Sequence, residues 1–271
     1  HAIEGFDAAL VDAFDRLLPF KNDPGCKGKT AIVHALLKRD AGDAALFLKA
    51  ARLRQPEPIW GGSVDTAAEL RGNAGLGLLR TRHPLGPIVL AELLADEEPV
   101  ARVGAARSLL ELEAASALPL LRFKIAVGDK APEVVGACVQ SMIEIDPMLG
   151  MQVAADLLAK DAGDSAEAVA LALGESKRPE ALPILRDHAE RSPIGGGRAV
   201  AYVAMAILRD AQATAHLLDV VRTGAVGPAT DAVRALAHFR HDLRIRAPAL
   251  AAADARKDAV GRIAHEALEK D

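Results

Sequence analysis

Asp96-Glu-Glu-Pro-Val-Ala-Arg102-Val-Gly-Ala-Ala-Arg-Ser-Leu-Leu110 repeats, 31 positions on, the pattern of Asp65-Thr-Ala-Ala-Glu-Leu-Arg71-Gly-Asn-Ala-Gly-Leu-Gly-Leu-Leu79. Each stretch holds an acid, a base six residues later, small residues and a Leu pair. A fixed period of about 20–50 residues marks repeat architectures, whose units bury their apolar faces against their neighbours. Outward from this core, apolar residues recur at helical spacing in segments broken by Pro, Gly, Asp or Asn. The segments pair as 4–18 with 24–39, 43–55 with 65–81, 84–95 with 97–112, 115–127 with 131–145, 147–159 with 164–175, 179–191 with 195–209, 211–223 with 228–239, and 242–254 with 257–269. This predicts an all-α chain of about eight helical hairpins, one array over residues 1–271. No stretch sustains polar/apolar alternation, so no strand is expected. Val89, Leu120, Val153, Ile184, Leu217 and Leu250, spaced 31 or 33 apart, are expected to form one apolar ridge. Pro119, Pro183 and Pro248 are expected near the beginnings of their helices, where a missing N–H costs little.

Composition agrees. Just over half of the 271 residues are apolar, yet aromatics make up only 3%, which argues against a sandwich or barrel core and suits small-residue helix packing. Acids outnumber bases by four, which argues against a general nucleic-acid binder. Cys26 and Cys138 have neither metal-ligand nor disulfide-framework spacing and read as small packing residues. The start at His1 reads as a trimmed N-terminus. No signal-like stretch and no window near the ~20 apolar residues of a membrane span is present, so a cytoplasmic protein without membrane contact is expected.

The pattern Asp-x5-(Arg/Val)-x2-Ala-x3-Leu, with a Leu-rich helix before it, resembles the HEAT repeats, and within them the short bacterial HEAT-like repeats of bilin-lyase type. The resemblance covers nearly the whole chain and implies a right-handed α-α superhelix. It also implies a polar ladder between neighbouring units, with the Asp in the turn and the base on the second helix. On that resemblance the ladder members are Asp65 with Arg71, Asp96 with Arg102, and, in the first hairpin, Asp23 with Lys29. Asp129 follows in register, but Val135 stands where its base would be.

From Asp23 to Asp65 the spacing is about ten residues longer than a unit. The excess falls at Gln55-Pro-Glu-Pro-Ile-Trp-Gly-Gly-Ser-Val64, which carries the only Trp. Insertions in repeat arrays go to loops, often on the binding side. Trp60 has two readings: an anchor for a partner or ligand, or a ring packed down to pin the loop. Residues 16–82 hold twelve Lys and Arg against six acids, and residues 83–175 hold six against fifteen. A basic end of this kind would suit an acidic partner, unless its charges lie on separate solvated faces.

Several motifs tempt and fail. Gly25-Cys-Lys-Gly-Lys-Thr30 looks like the tail of a phosphate loop, but Asp23 stands where a Gly is needed and a helix precedes it. His265-Glu266 is a lone pair, unlike the several pairs of HEAT-like di-iron hydroxylases. His238 and His241 share a turn without an acid ligand at metal spacing on that helix. Gly195-Gly-Gly197 before Arg198 reads as a plain loop. The final helix, with Arg256, Lys257, Arg262, Glu266, Glu269 and Lys270, reads as a polar cap. The first, with Phe6, Leu10, Phe14, Leu17 and Leu18, has one apolar stripe.

The expectation is a non-catalytic protein-protein interaction scaffold, monomeric or weakly dimeric, with no cofactor and no metal. It would use its concave face and the Trp60 loop. The candidate partner-binding residues are Trp60, Lys27, Lys38, Glu69, Arg71 and Arg80. The alternative is a HEAT-like enzyme or an anion-binding protein, bilin-lyase-like or DNA-glycosylase-like, working through the basic end. Eight aromatic residues and an acidic middle suit that alternative poorly.

Overall fold

The computed structural model describes residues 2–160, 163–192 and 196–269, with side chains from residue 5 onward. Gly195 of the anticipated glycine loop and Lys270 of the anticipated cap lie outside the described residues. The chain divides into two compact units, His1–Ser141 and Met142–Asp271. Sixteen α-helices form among the described residues, each on a segment marked by the apolar periodicity.

The first unit holds α1 (Ala2–Arg16), α2 (Lys27–Lys38), α3 (Ala44–Ala51), α4 (Ala68–Arg80), α5 (Gly86–Leu93), α6 (Pro99–Ser108) and α7 (Ala114–Val127). The helix α8 (Pro132–Ile145) runs across the division. The second unit holds α9 (Pro147–Lys160), α10 (Asp164–Glu175), α11 (Ala181–Arg191), α12 (Gly196–Leu208), α13 (Ala211–Thr223), α14 (Val226–Ala237), α15 (Leu243–Asp254) and α16 (Ala259–Glu269). Within the first unit α2, α4 and α6 pack side by side, and α1, α3 and α5 each pack on the even-numbered helix that follows. The second unit repeats the arrangement with α10, α12, α14 and α16 in a row and α9, α11, α13 and α15 against them.

Small residues let the row close up. A Cβ built at Gly104 would lie 2.7 Å from the Cα of Gly72, so α4 and α6 touch backbone to backbone. In the second unit a Cβ at Gly174 of α10 would lie 2.5 Å from the carbonyl of Ala204 in α12. Such approaches leave no room for a methyl group, which would force the backbones apart.

The anticipated ridge is off by one residue at alternate helices. Leu120, Ile184 and Leu250 are only half-buried. The buried positions are Val89, Leu121, Val153, Leu185, Leu217 and Ala249, each 32 residues after the one before. A constant period therefore describes the first helices better than spacings of 31 and 33. Pro119 and Pro248 also depart from expectation: each is the sixth residue of its helix, inside rather than at the start.

The clearest departure is in the insertion. Residues 56–65 form a two-stranded antiparallel hairpin, β1 (Pro56–Ile59) and β2 (Gly62–Asp65), where no strand is expected from sequence. The register pairs Pro56 with Asp65, Glu57 with Val64, Pro58 with Ser63 and Ile59 with Gly62. Proline has no N–H to give a ladder, so Glu57 and Ile59 carry the β1 bonds and the two prolines turn outward. Every second strand position on β1 is proline, which hides the alternation that would otherwise mark a strand. Gly61 supplies the positive φ of 85° that the turn requires.

Candidate functional site

The polar heart of the first unit is a chain of carboxylates in inter-helix turns. Asp65, Asp96 and Asp129 each accept a bond from the backbone N–H two residues on, at Ala67 (3.0 Å), Glu98 (2.9 Å) and Ala131 (2.8 Å). Asp and Asn favour such turns because their side chains satisfy local backbone donors. The remaining acceptor capacity is taken by bases. Arg71 gives Nε and Nη2 to Asp96 at 2.9 and 2.8 Å, and Nη1 to Asp65 at 2.6 Å and to the Leu53 carbonyl at 3.0 Å. Arg102 makes a paired contact with Asp129 at 2.8 and 2.7 Å. Asp96 itself is reached by Arg102 only through its backbone carbonyl, at 2.7 Å. In the first hairpin Lys29 is fully buried, with Nζ 2.9 Å from Asp23 and 2.8 Å from the Leu17 carbonyl.

Burial alone would raise these carboxyls. The bonds from backbone N–H groups and bases outweigh it, so Asp23, Asp65 and Asp96 titrate below the ordinary range. Asp129, opposed by burial but held by Arg102 and Lys124, comes down to about 2. Lys124, 2.8 Å from Asp129, and Arg54, 2.6 Å from Asp96, are members of this network that the sequence pattern does not reveal. Lys124 lies five residues before its Asp and Arg54 forty-two before its own, outside the six-after rule that located Lys29, Arg71 and Arg102.

The hairpin is tied to this network at its base. One oxygen of Glu57 accepts from Gly25 N (2.7 Å), Gln55 Nε2 (2.7 Å) and Thr66 Oγ1 (2.8 Å). The Gln55 and Thr66 bonds, with that of Gly25, hold Glu57 below its ordinary value. Gln55 also donates from Nε2 to the Asp23 carbonyl at 2.9 Å and from its backbone N to Asp65 at 2.9 Å. At the far end nothing covers the tip: Trp60 is fully exposed, and Ile59 and Val64 are exposed beside it. Trp60 therefore does not pin the loop. The loop is pinned by Glu57, Gln55 and Asp65, and Trp60 projects from it.

The other candidates scatter. Lys27, at the start of α2, and Lys38, at its end, are exposed, as is Glu69 on the first turn of α4. Arg80 pairs with Glu111 at 2.9 Å and donates to the Leu37 carbonyl at 3.3 Å. Arg71 is 1% exposed and its guanidinium is enclosed by the ladder, so it presents no surface to a partner. The basic excess of residues 16–82 is also reduced in three dimensions. Lys29, Arg39, Lys49, Arg54, Arg71 and Arg80 are all held in ion pairs, and Asp7, Asp15, Asp96 and Glu111, four of their acids, come from outside that window.

Between α4 and α6 lies an open groove of about 440 Å³, floored by Gly72 and Gly104 and walled by Leu76, Val100 and Val103, with Glu69, Asn73 and Arg107 along it. Among the described residues no group of three His, Cys, Asp or Glu is placed to hold a metal ion, and no helix is long and apolar enough to cross a membrane. No family model matches this sequence, and no curated protein matches it either.

Proposed function

We propose that this chain is a non-catalytic protein-interaction scaffold whose helix pairs stack, within each unit, as HEAT-like repeats of the right-handed α-solenoid type. It works in the cytoplasm as a monomer or weak dimer and docks a protein partner with Trp60 as the anchor. The α4–α6 groove and the exposed charges of Lys27, Lys38 and Glu69 add secondary contacts. The observation that carries this reading is the contrast within the hairpin: a base fixed by the hydrogen bonds of Gln55, Glu57 and Asp65, and a tip of Ile59, Trp60 and Val64 left bare. A large aromatic held rigidly in water loses little entropy on binding and buries a large apolar area, which is how interface hot spots arise. The basic-end alternative is weakened because half of the twelve bases are already spent on the chain's own acids.

Affinity capture from the source lysate tests the proposal. Wild type is compared with Trp60→Ala and with Lys27→Glu/Lys38→Glu, using quantitative mass spectrometry. A partner captured by wild type and lost with Trp60→Ala is expected, with a smaller loss for the charge-reversed pair. An identical set of captured proteins for all three would refute it.

A further inference from the structure

The second unit carries a basic cavity at the turn between α14 and α15. The stretch His238-Phe-Arg-His-Asp-Leu-Arg-Ile-Arg246 holds five basic or titratable residues and one acid. Arg209, from the end of α12, joins them. His238, Phe239, His241, Asp242, Leu243 and Arg244 line an open cavity of about 640 Å³ with Arg209.

Asp242 organises the site. One of its oxygens takes the Arg209 Nη2 at 3.2 Å, and both take Arg244, through Nε at 3.0 Å and Nη2 at 2.8 Å. Arg209 is also fixed over the Phe239 ring, 5.1 Å from its centre. A single carboxylate thus holds two guanidinium groups side by side. Nε and Nη1 of Arg209 and Nη1 of Arg244 stay outside these bonds. Two arginines against one aspartate leave a net positive charge before either histidine is protonated. Planar guanidinium forks match tetrahedral oxyanions through paired N–H groups.

We infer that this cavity binds a phosphate monoester, with Arg209 and Arg244 as the ligating residues, Asp242 as the residue that orients them, and His238 and His241 at the rim. A carboxylate is a poorer fit, because Asp242 already fills that role and a second singly charged group would meet fewer of the remaining donors. The site is independent of the Trp60 proposal and stands or falls without it.

The test is an NMR titration of the full chain at constant ionic strength, following the imidazole signals of His238 and His241. The probes are inorganic phosphate, phenyl phosphate, a phosphoserine peptide with its unphosphorylated twin, and acetate. Saturable shifts with the three phosphate probes are expected, with acetate and the unphosphorylated peptide at least about tenfold weaker. Arg209→Gln and Arg244→Gln should each weaken phosphate binding about tenfold, the loss expected for one charge-assisted hydrogen bond, with unchanged thermal midpoints. Preference for the peptide over phenyl phosphate would identify a phosphorylated protein as the source, and the reverse a small molecule. Shifts that never saturate, equal shifts with acetate, or binding unaffected in both arginine variants would overturn the assignment.

Discussion

Arg71 and Asp96 meet through two parallel hydrogen bonds of 2.9 and 2.8 Å, with 1% of either side chain left exposed. The pair joins α4 to the turn before α6, so one guanidinium ties two successive helix pairs together. Removing it strands two carboxylates in a site built for charge. Arg71→Met should cost about 3 kcal/mol, the lower end for breaking a buried pair, because Arg54 still reaches Asp96. Urea unfolding measures this. A loss below about 1 kcal/mol, the scale of a surface pair, would mean that the network is ornamental to stability.

Acid should unfold the chain in two stages. His188 and His216 lie below the usual imidazole value because burial disfavours their charged form, with Arg191 and Arg186 adding to the effect. The unfolded chain takes up those protons first, so stability is complete above about pH 6.5 and declines as pH falls below it. Asp23, Asp65, Asp96 and Asp129 have depressed values, so their contribution is present above about pH 4. It is lost as pH falls through the folded values, about 2 for Asp129. Urea midpoints measured from neutral to strongly acidic pH should show both declines.

Several helices of the even row end on a residue with left-handed backbone that is not glycine. Asp40, Arg82, Lys177 and Arg209 have φ between 50° and 55° and follow α2, α4, α10 and α12. Arg82 N donates to the Leu79 carbonyl at 2.8 Å and His83 N to the Leu78 carbonyl at 2.9 Å, closing the helix. Asp40→Gly should raise stability by about 1 kcal/mol, by relieving the left-handed penalty. Equilibrium denaturation would register this as a higher midpoint with an unchanged slope.

Gly104 tests the contact between α4 and α6. The Gly72 backbone leaves no room for a Cβ. Gly104→Ala should therefore destabilise by about 1–3 kcal/mol, against the usual helical gain from Gly to Ala. A stabilised variant would show that the two helices can move apart at little cost.

The helices were legible because apolar spacing and turn residues agree in every segment, and each of the sixteen forms where that agreement falls. The buried ridge was legible only to within one residue. Leu120 and Leu121, or Ile184 and Leu185, are adjacent apolar residues, and pattern alone does not choose between them. The hairpin was hidden because Pro56 and Pro58 break the strand signal at the positions that face outward. The basic end misled because charge counted along the chain omits acids that arrive from elsewhere in space, such as Asp7 to Arg39 and Glu111 to Arg80. Trp60 was legible as a singular residue, while its exposure depends on Glu57 and Gln55, whose roles no spacing rule signals.

Because Trp60 is the only tryptophan, fluorescence excited at the red edge, where Tyr202 does not absorb, reads the tip of the hairpin and nothing else. The isolated chain should emit as a water-exposed indole, fully open to acrylamide quenching. Adding the captured partner, with its own tryptophans replaced, should shift the emission to the blue and protect it from the quencher. Blue, protected emission from the isolated chain, or a bound partner that leaves emission and quenching unchanged, would contradict the role assigned to this residue.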